Sequence, residues 1–227
     1  MNISRRKFMS VASAAAVSVI AAGSIAASPL AAAQSSKTIL LTAYEPFGGR
    51  SFNNAMLVGN FVSEKLSAAG YEVTYITIPT EWASFKENLT QAVTTLQPET
   101  IISLGEVGQV ATPTVELMAY NAGYGNDATG NWFTGQIDPQ GPAKREVPAE
   151  NKDAQKAVAG AGYKLNTSTD AGRYLCNAAL YTNLGFLEQG LVRHAGFVHV
   201  PARASETDPG IEGDADTVTE FIKTLVG

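Results

Sequence analysis

The stretch Thr38-Ile39-Leu40-Leu41-Thr42-Ala43 decides the fold class, because it is a short apolar run typical of a buried strand. The segment 54–69 follows it with apolar residues at helical spacing and ends at Gly70. Residues 71–78 then alternate around β-branched side chains, as a second strand does. A strand, a helix and a strand in this order predict the repeating unit of a parallel sheet.

The same alternation continues along the rest of the chain. The patterns predict helices at 82–96, near 153–159, at about 175–187 and at about 214–225, with strands at 100–104 and 195–200. Residues 121–152 are rich in Gly, Asn, Asp and Pro, so we predict a long loop there. The expected fold is α/β: a three-layer sandwich with a mainly parallel twisted sheet and helices on both faces.

The composition excludes several classes of function. The chain has 227 residues, a net charge of −5, one cysteine and two histidines. A single cysteine forms no internal disulfide and no Cys₂ or Cys₄ zinc site, and an acidic chain is a poor general nucleic-acid binder. The G-x-S-x-G, Walker A, H-E-x-x-H and G-x-G-x-x-G motifs are absent. We therefore expect no metal, no cofactor and no nucleic-acid partner.

Residues 1–33 have the pattern of an export signal. The basic start Ser4-Arg5-Arg6-Lys7-Phe8 precedes a run without charge that continues to Ser36 and contains Ala31-Ala32-Ala33. Paired arginines before a hydrophobic residue resemble a twin-arginine signal. The alternative is an uncleaved membrane anchor, which the weakly apolar, Ala-rich run disfavours. We predict a periplasmic or secreted protein without a stable membrane anchor after processing, with a single domain at 37–227.

Cys176 is the first candidate for chemistry. Gly172 precedes it and an apolar helical pattern follows, which places the sulfur near a helix N-terminus. There the helix dipole and unpaired N–H groups stabilise a thiolate and can bind an oxyanion. The alternative is a buried cysteine that acts as a small hydrophobic residue.

His199 and Glu116 are the candidate partners of a nucleophile. His199 ends the apolar strand pattern Gly196–Pro201, and ligand sites of open α/β sheets lie beyond the carboxyl ends of the strands. His194, the only other histidine, falls in a predicted surface turn. Glu116 is a lone acid in a strand-like stretch, where an exposed glutamate is the alternative interpretation. A histidine that acts as a general base, as predicted for His199, needs an acid to orient its ring.

Four ordered segments together resemble pyroglutamyl peptidase I, the cysteine peptidase family that removes N-terminal pyroglutamate. Thr42–Gly49, followed by Asn53, is similar to the family's T-G-F-[DE]-P-F-G-G…N loop, and Gly105–Asn121 is similar to its G-x-A-G…E-R-V-A-x-N segment. Ser168–Asn177 is similar to S-x-x-A-G-x-[FY]-[VL]-C-N, and Gly196–Pro201 to G-F-[IV]-H-V-P. The set spans nearly the whole chain after the leader.

The resemblance implies a site and a substrate. It implies a triad of Glu116, Cys176 and His199, a phosphorylase/hydrolase-like sandwich, a small peptide with N-terminal pyroglutamate as substrate and a possible homo-oligomer. It also implies an apolar pocket for the lactam ring. The matching positions are Tyr44, Phe47, Tyr174 and Leu175, with Asn53 as a polar group and Glu106 close to the ring.

The sequence departs from the family pattern around this site. Gly108-Gln109-Val110 replaces G-G-R, and Leu117 replaces the arginine after the triad glutamate. Glu106 stands where the family usually has an uncharged residue, and Tyr44 replaces a phenylalanine. Two alternatives therefore stay open. One is an exported non-catalytic relative that binds a small lactam or a peptide N-terminus, and the other is a hydrolase of a different small cyclic or N-acyl amide.

Overall fold

The computed structural model describes residues 37–227, so the predicted export signal at 1–33 lies outside the described residues. In chain order the elements are β1 (Thr38–Tyr44), α1 (Asn54–Ala68), β2 (Glu72–Ile78), α2 (Phe85–Leu96), β3 (Thr100–Val107), β4 (Thr114–Glu116), β5 (Met118–Tyr120), β6 (Gly123–Asn126), β7 (Trp132–Gly135), β8 (Lys144–Glu146), α3 (Ala149–Gly160), β9 (Asn166–Ser168), α4 (Leu175–Glu188), β10 (His194–Pro201) and α5 (Gly210–Val226).

The central sheet has six strands in the order β2-β1-β3-β10-β4-β9. Every neighbouring pair runs parallel except β10 and β4, which are antiparallel. The predicted mainly parallel sheet is therefore confirmed. Since β1, β3 and β10 are parallel, their carboxyl ends at Tyr44, Val107 and Pro201 meet at one edge of the sheet.

Two apolar cores cover the two faces of this sheet, because successive strand residues point to opposite sides. In β1, Ile39 and Leu41 join the core with α1, α3 and α5, whereas Leu40 and Tyr44 join the core with α2 and α4. Helix α4 is buried over most of its length, as its apolar sequence requires. The result is the three-layer sandwich that the sequence predicts.

The prediction of a long loop at 121–152 is wrong. This region contains the hairpin β6–β7 and the strand β8, which pairs antiparallel with β5, and α3 already begins at Ala149 rather than near residue 153. The strands are short and rich in glycine or charge, so they lack the alternating apolar pattern that marks a strand. Their formation depends on partners elsewhere in the chain.

Three smaller differences concern element boundaries. Helix α2 begins at Phe85, three residues after the predicted start, and α5 begins at Gly210, before the predicted start at 214. His194 is the first residue of β10 and pairs with Thr100, so the surface turn predicted for it is wrong.

Within residues 37–227, no helix has the length and apolar character needed to span a membrane.

Candidate active site

A cavity of about 540 Å³ opens at the sheet edge where β3 and β10 end, beside the N-terminus of α4. Most of its wall comes from the chain after β3, the segment before α4, and the turn after β1. The lining residues are Phe47, Glu106, Val107, Gln109, Val110, Glu116, Ser168, Asp170, Ala171, Gly172, Tyr174, Cys176 and His199. The cavity thus brings together all three residues of the predicted triad.

Cys176 is the second residue of α4 and is partly exposed. The Ala178 N–H donates to the Tyr174 carbonyl over 3.1 Å as the helix starts, so the N–H groups of residues 175–177 precede the first intrahelical bond. These donors and the positive end of the helix dipole stabilise negative charge on or near the sulfur. The predicted position at a helix start is therefore the one observed.

Asn177 fixes the rotation of this helix start. Its side-chain amide donates to the carbonyls of Tyr120 (2.8 Å) and Ala122 (2.9 Å), and its Oδ1 accepts from the Tyr120 N–H (2.8 Å). The residue after the cysteine is thus bonded three times to the end of β5. Asn177 had no predicted role, although a polar side chain in an otherwise apolar helix start is a usable signal.

His199 and Glu116 form a buried pair. Glu116 Oε1 lies 2.8 Å from His199 Nδ1, and both residues are nearly inaccessible, at 2% and 5% exposure. The antiparallel pairing of β4 with β10 sets Val115 opposite Val198 and so places the two side chains near each other. The Phe197 ring packs edge-on against the imidazole, with centroids 4.9 Å apart. A histidine held by a carboxylate at Nδ1 has Nε2 available for the nucleophile.

The surroundings of His199 favour its charged form. Burial lowers its pKa, but the charge and hydrogen bond of Cys176, together with the hydrogen bond and charge of Glu116, outweigh burial and raise the pKa to about 9. An imidazolium next to a thiolate is the reactive ion pair of a cysteine nucleophile.

Gly105 makes room for the nucleophile, and it was not among the predicted site residues. It pairs with His199 across β3 and β10. A Cβ at this position would lie 2.6 Å from Phe197 Cζ and 3.0 Å from Cys176 Sγ, so no side chain fits between the strand and the sulfur. A glycine inside a buried strand pattern was the available signal.

Aromatic rings form one side of the cavity. Phe47 and Tyr174 both line it, with ring centroids 6.2 Å apart. Tyr174 rests edge-on against Trp82 at 5.5 Å, and Trp82 stacks on Phe133 of β7 at 4.6 Å. Burial raises the pKa of Tyr174 to about 12, so its hydroxyl stays neutral. Trp82 and Phe133 support this wall from behind, a role that sequence reasoning did not assign to them.

Three of the predicted substrate-binding residues lie outside the cavity lining. The Tyr44 hydroxyl donates to the Leu175 carbonyl over 2.8 Å, which joins the end of β1 to the start of α4. Burial, followed by the charges of Cys176 and Tyr174, raises the Tyr44 pKa well above its usual range. Asn53 accepts the Ala55 N–H over 2.9 Å as the N-cap of α1. Tyr44 and Asn53 therefore hold backbone segments in place, and none of the three residues lines the cavity.

Glu106 lines the cavity, but its carboxylate is already engaged. One oxygen is bonded to the Arg50 guanidinium, and the other accepts the Asn54 N–H at the start of α1 over 2.5 Å. The sequence departures Gln109 and Val110 also line the cavity, while Leu117 packs against the apolar cores. Arg50 was missed because it lies 56 residues from its partner.

The described part of the chain contains no cluster of three or more His, Cys, Asp or Glu side chains that could hold a metal ion. What the geometry provides is a cysteine at a helix start, a histidine beside it and a buried carboxylate behind the histidine. This set is capable of nucleophilic acyl transfer.

Comparison with known proteins also indicates a cysteine peptidase. A family model described as pyroglutamyl peptidase matches residues 37–212. The chain is 32% identical over 168 residues to a pyrrolidone-carboxylate peptidase of Levilactobacillus brevis, which covers 72% of this chain and 81% of that protein. The fold is similar to a pyrrolidone carboxyl peptidase from Thermococcus litoralis, with a TM-score of 0.74, 24% identity and coverage of 83% and 92%. Pyroglutamyl peptidase I from Bacillus amyloliquefaciens also gives a TM-score of 0.74, with 23% identity and coverage of 84% and 95%.

Proposed function

The chain belongs to the pyroglutamyl peptidase family of cysteine-type peptidases, and we propose that Cys176, His199 and Glu116 carry out its reaction, the removal of N-terminal pyroglutamate from small peptides. The observation that carries the assignment of roles is the 2.8 Å contact between Glu116 and His199 in the same cavity as the cysteine. The uncharged lactam ring suits a wall formed by Phe47 and Tyr174.

In the first half of the reaction the Cys176 thiolate attacks the pyroglutamyl carbonyl carbon and forms a carbon–sulfur bond. The oxygen becomes an oxyanion, which the N–H groups at the start of α4, the helix that carries Cys176, can stabilise. The carbon–nitrogen bond then breaks, and the His199 imidazolium gives its proton to the departing peptide amine. The product of this half is a thioester and a free peptide.

In the second half His199, now neutral, accepts a proton from water while the water oxygen attacks the thioester carbon. The carbon–sulfur bond breaks, pyroglutamic acid leaves, and the thiolate–imidazolium pair is restored. Glu116 holds Nδ1 throughout, which keeps the imidazole in one orientation and stabilises its cation.

Hydrolysis of a fluorogenic pyroglutamyl amide tests this assignment, with prolyl and N-acyl-lysyl amides in parallel. We expect turnover of the pyroglutamyl amide alone, loss of activity in Cys176→Ser and His199→Ala with folding intact, and normal activity in His194→Ala. His194 is the matched control because it is the only other histidine and begins the same strand. Retained activity in Cys176→Ser would contradict the mechanism, and preference for an amide without a lactam would change the substrate.

The binding-only alternative predicts a folded protein without turnover. Its motivation was the loss of two arginines of the family pattern together with the carboxylate at position 106, and the contact of Glu106 with Arg50 weakens the second of these grounds. Iodoacetamide separates the two functions further, because Cys176 is the only cysteine. A catalytic thiolate is alkylated faster than a model thiol at neutral pH.

We also propose that residues 1–33 direct export to the periplasm or the cell exterior through the twin-arginine pathway. The arginine pair Arg5-Arg6, the run without charge and the Ala31-Ala32-Ala33 site support this. A fusion of the leader to a reporter that functions only after export is the test. Export that persists in Arg5→Lys/Arg6→Lys would contradict the pathway, and a reporter retained in the cytoplasm would contradict export itself.

Self-association is a further proposal and is supported by the family resemblance alone. Light scattering of the purified chain at two concentrations measures it. A mass that stays at that of one chain would contradict it.

A further inference from the structure

Glu106 presents an electrostatic problem in the cavity wall. Its side chain is 7% exposed, and a buried carboxylate without a compensating cation is strongly unfavourable. It would also face a substrate ring that carries no charge. Among the described residues, the cation bonded to this carboxylate is Arg50, whose side chain is 34% exposed.

Arg50 is held on more than one side. Its second guanidinium nitrogen donates to the Arg203 carbonyl over 2.8 Å, and the guanidinium lies over the Phe52 ring at 4.6 Å. Arg203 is in turn fixed by Asp214 of α5, with contacts of 2.7–3.0 Å. These contacts hold the guanidinium in one position, so little side-chain entropy is lost when it pairs with Glu106.

Arg50 also closes the turn that carries Phe47. The Arg50 N–H donates to the Phe47 carbonyl over 3.3 Å, so the arginine and the aromatic ring belong to one short turn after β1. The Arg50–Glu106 contact ties this turn to the end of β3. Phe47 lines the cavity and is 36% exposed, and its ring lies beside the ring of Tyr174.

We propose that Arg50 is a positioning residue for substrate binding: its charge compensates that of Glu106, so that the cavity wall accepts an uncharged lactam. This inference rests on the proposed function and assigns a role to a residue outside the triad and outside the motifs of the resemblance. It has a specific consequence: Arg50 is required only while position 106 carries a carboxylate.

A double-mutant cycle tests that consequence on the full chain. In Arg50→Met the carboxylate loses its cation, and we expect KM for the pyroglutamyl amide to rise about tenfold or more with kcat within about threefold. Glu106→Gln removes the charge and keeps the shape, so KM changes by less than about threefold. Arg50→Met/Glu106→Gln restores KM to within about threefold of the wild type, since no buried charge is left unpaired.

Two further variants sharpen the cycle. Arg50→Lys keeps the charge and is expected to recover part of the affinity, because an ammonium is unable to reproduce the forked contacts of a guanidinium. Arg193→Met is the matched control, because Arg193 pairs with Glu99 over 3.5 Å on the surface at 69% exposure. It should leave both kinetic constants unchanged.

Iodoacetamide labelling of Cys176 separates the outcomes. The labelling rate of the free protein reports the triad, and its slowing by 2-pyrrolidinone reports lactam binding without turnover. We expect equal free rates in all variants, the weakest protection in Arg50→Met and intermediate protection in Arg50→Lys. A double variant as impaired as Arg50→Met, or unchanged KM and protection in Arg50→Met, overturns the inference. A wild type that is protected by the lactam but turns over no pyroglutamyl amide overturns the proposed function instead.

Discussion

Replacement of Gly105 by alanine tests whether the cavity is built around the position of the sulfur. The added Cβ would lie 3.0 Å from Cys176 Sγ and 2.6 Å from Phe197 Cζ. Non-bonded heavy atoms settle at about 3.5–4.0 Å, so the sulfur must move by about 0.5–1 Å and the ring by about 1 Å or more. The same ring packs against His199, so both partners of the ion pair are disturbed.

The magnitudes for Gly105→Ala follow from this geometry. Overpacking of a core costs about 1–3 kcal/mol, and alanine recovers about 0.5–1 kcal/mol of backbone entropy relative to glycine. We therefore expect the free energy of unfolding to fall by at most about 2.5 kcal/mol. A displacement of about 1 Å at a reacting centre lowers the rate about 100-fold, so we expect kcat to fall by at least that factor.

The assay compares kcat, the iodoacetamide rate and urea unfolding in Gly105→Ala and in Gly59→Ala. The second variant is the control, because its Cβ would lie 2.7 Å from the Tyr75 ring, away from the cavity lining. Gly59→Ala should change stability and leave kcat intact. A folded Gly105→Ala with kcat within threefold of the wild type would refute the reasoning. Equal losses of kcat in both variants would show that kcat falls through general destabilisation and not through displacement of the sulfur.

Three other perturbations probe the same site. Glu116→Gln removes a charge-assisted hydrogen bond worth about 1.5–3 kcal/mol, so kcat/KM should fall about 10–100-fold, less than in Cys176→Ser; an unchanged value would remove Glu116 from the mechanism. The His199 imidazolium supplies the proton to the leaving amine and persists below its pKa of about 9, so activity should decline as the pH rises through about 9. Because Cys176 contributes to this raised pKa, an NMR titration of Cys176→Ser should show a lower His199 pKa. An equal or higher value would contradict the ion pair. Tyr44→Phe removes the bond to the Leu175 carbonyl and should lower the free energy of unfolding by about 1–2 kcal/mol, measured in urea; unchanged stability would show that this bond contributes nothing.

The sequence predicted the parts of the fold that are encoded locally. The apolar run of β1, the amphipathic pattern of α1 and the helix that starts at Leu175 are visible without their partners, because burial on a sheet imposes its own periodicity. The hairpin β6–β7 and the β5–β8 pair were invisible for the opposite reason. Lys144–Glu146 is a charged tripeptide that becomes a strand only beside Met118–Tyr120.

The same distinction between local and non-local signals applies to the residues of the site. Cys176 and His199 were identifiable because a helix start and a strand end have local signatures. The contact of His199 with Glu116 depends on the antiparallel step between β10 and β4, which no local pattern encodes. The partnership of Arg50 with Glu106 is equally non-local, so the sequence shows a charged residue at a usually uncharged position without showing the cation that pairs with it in the structure.

The amide of Asn177 has a consequence for how α4 holds the nucleophile. Its three bonds to Tyr120 and Ala122 fix α4 at the end that carries the sulfur. The far end, near Glu188, is joined to the β8 strand through Arg145 over 2.8 Å. The helix is therefore anchored at both ends and buried between them. Asn177 sets the position of the first turn, and the rest of α4 has little freedom to shift the sulfur away from it.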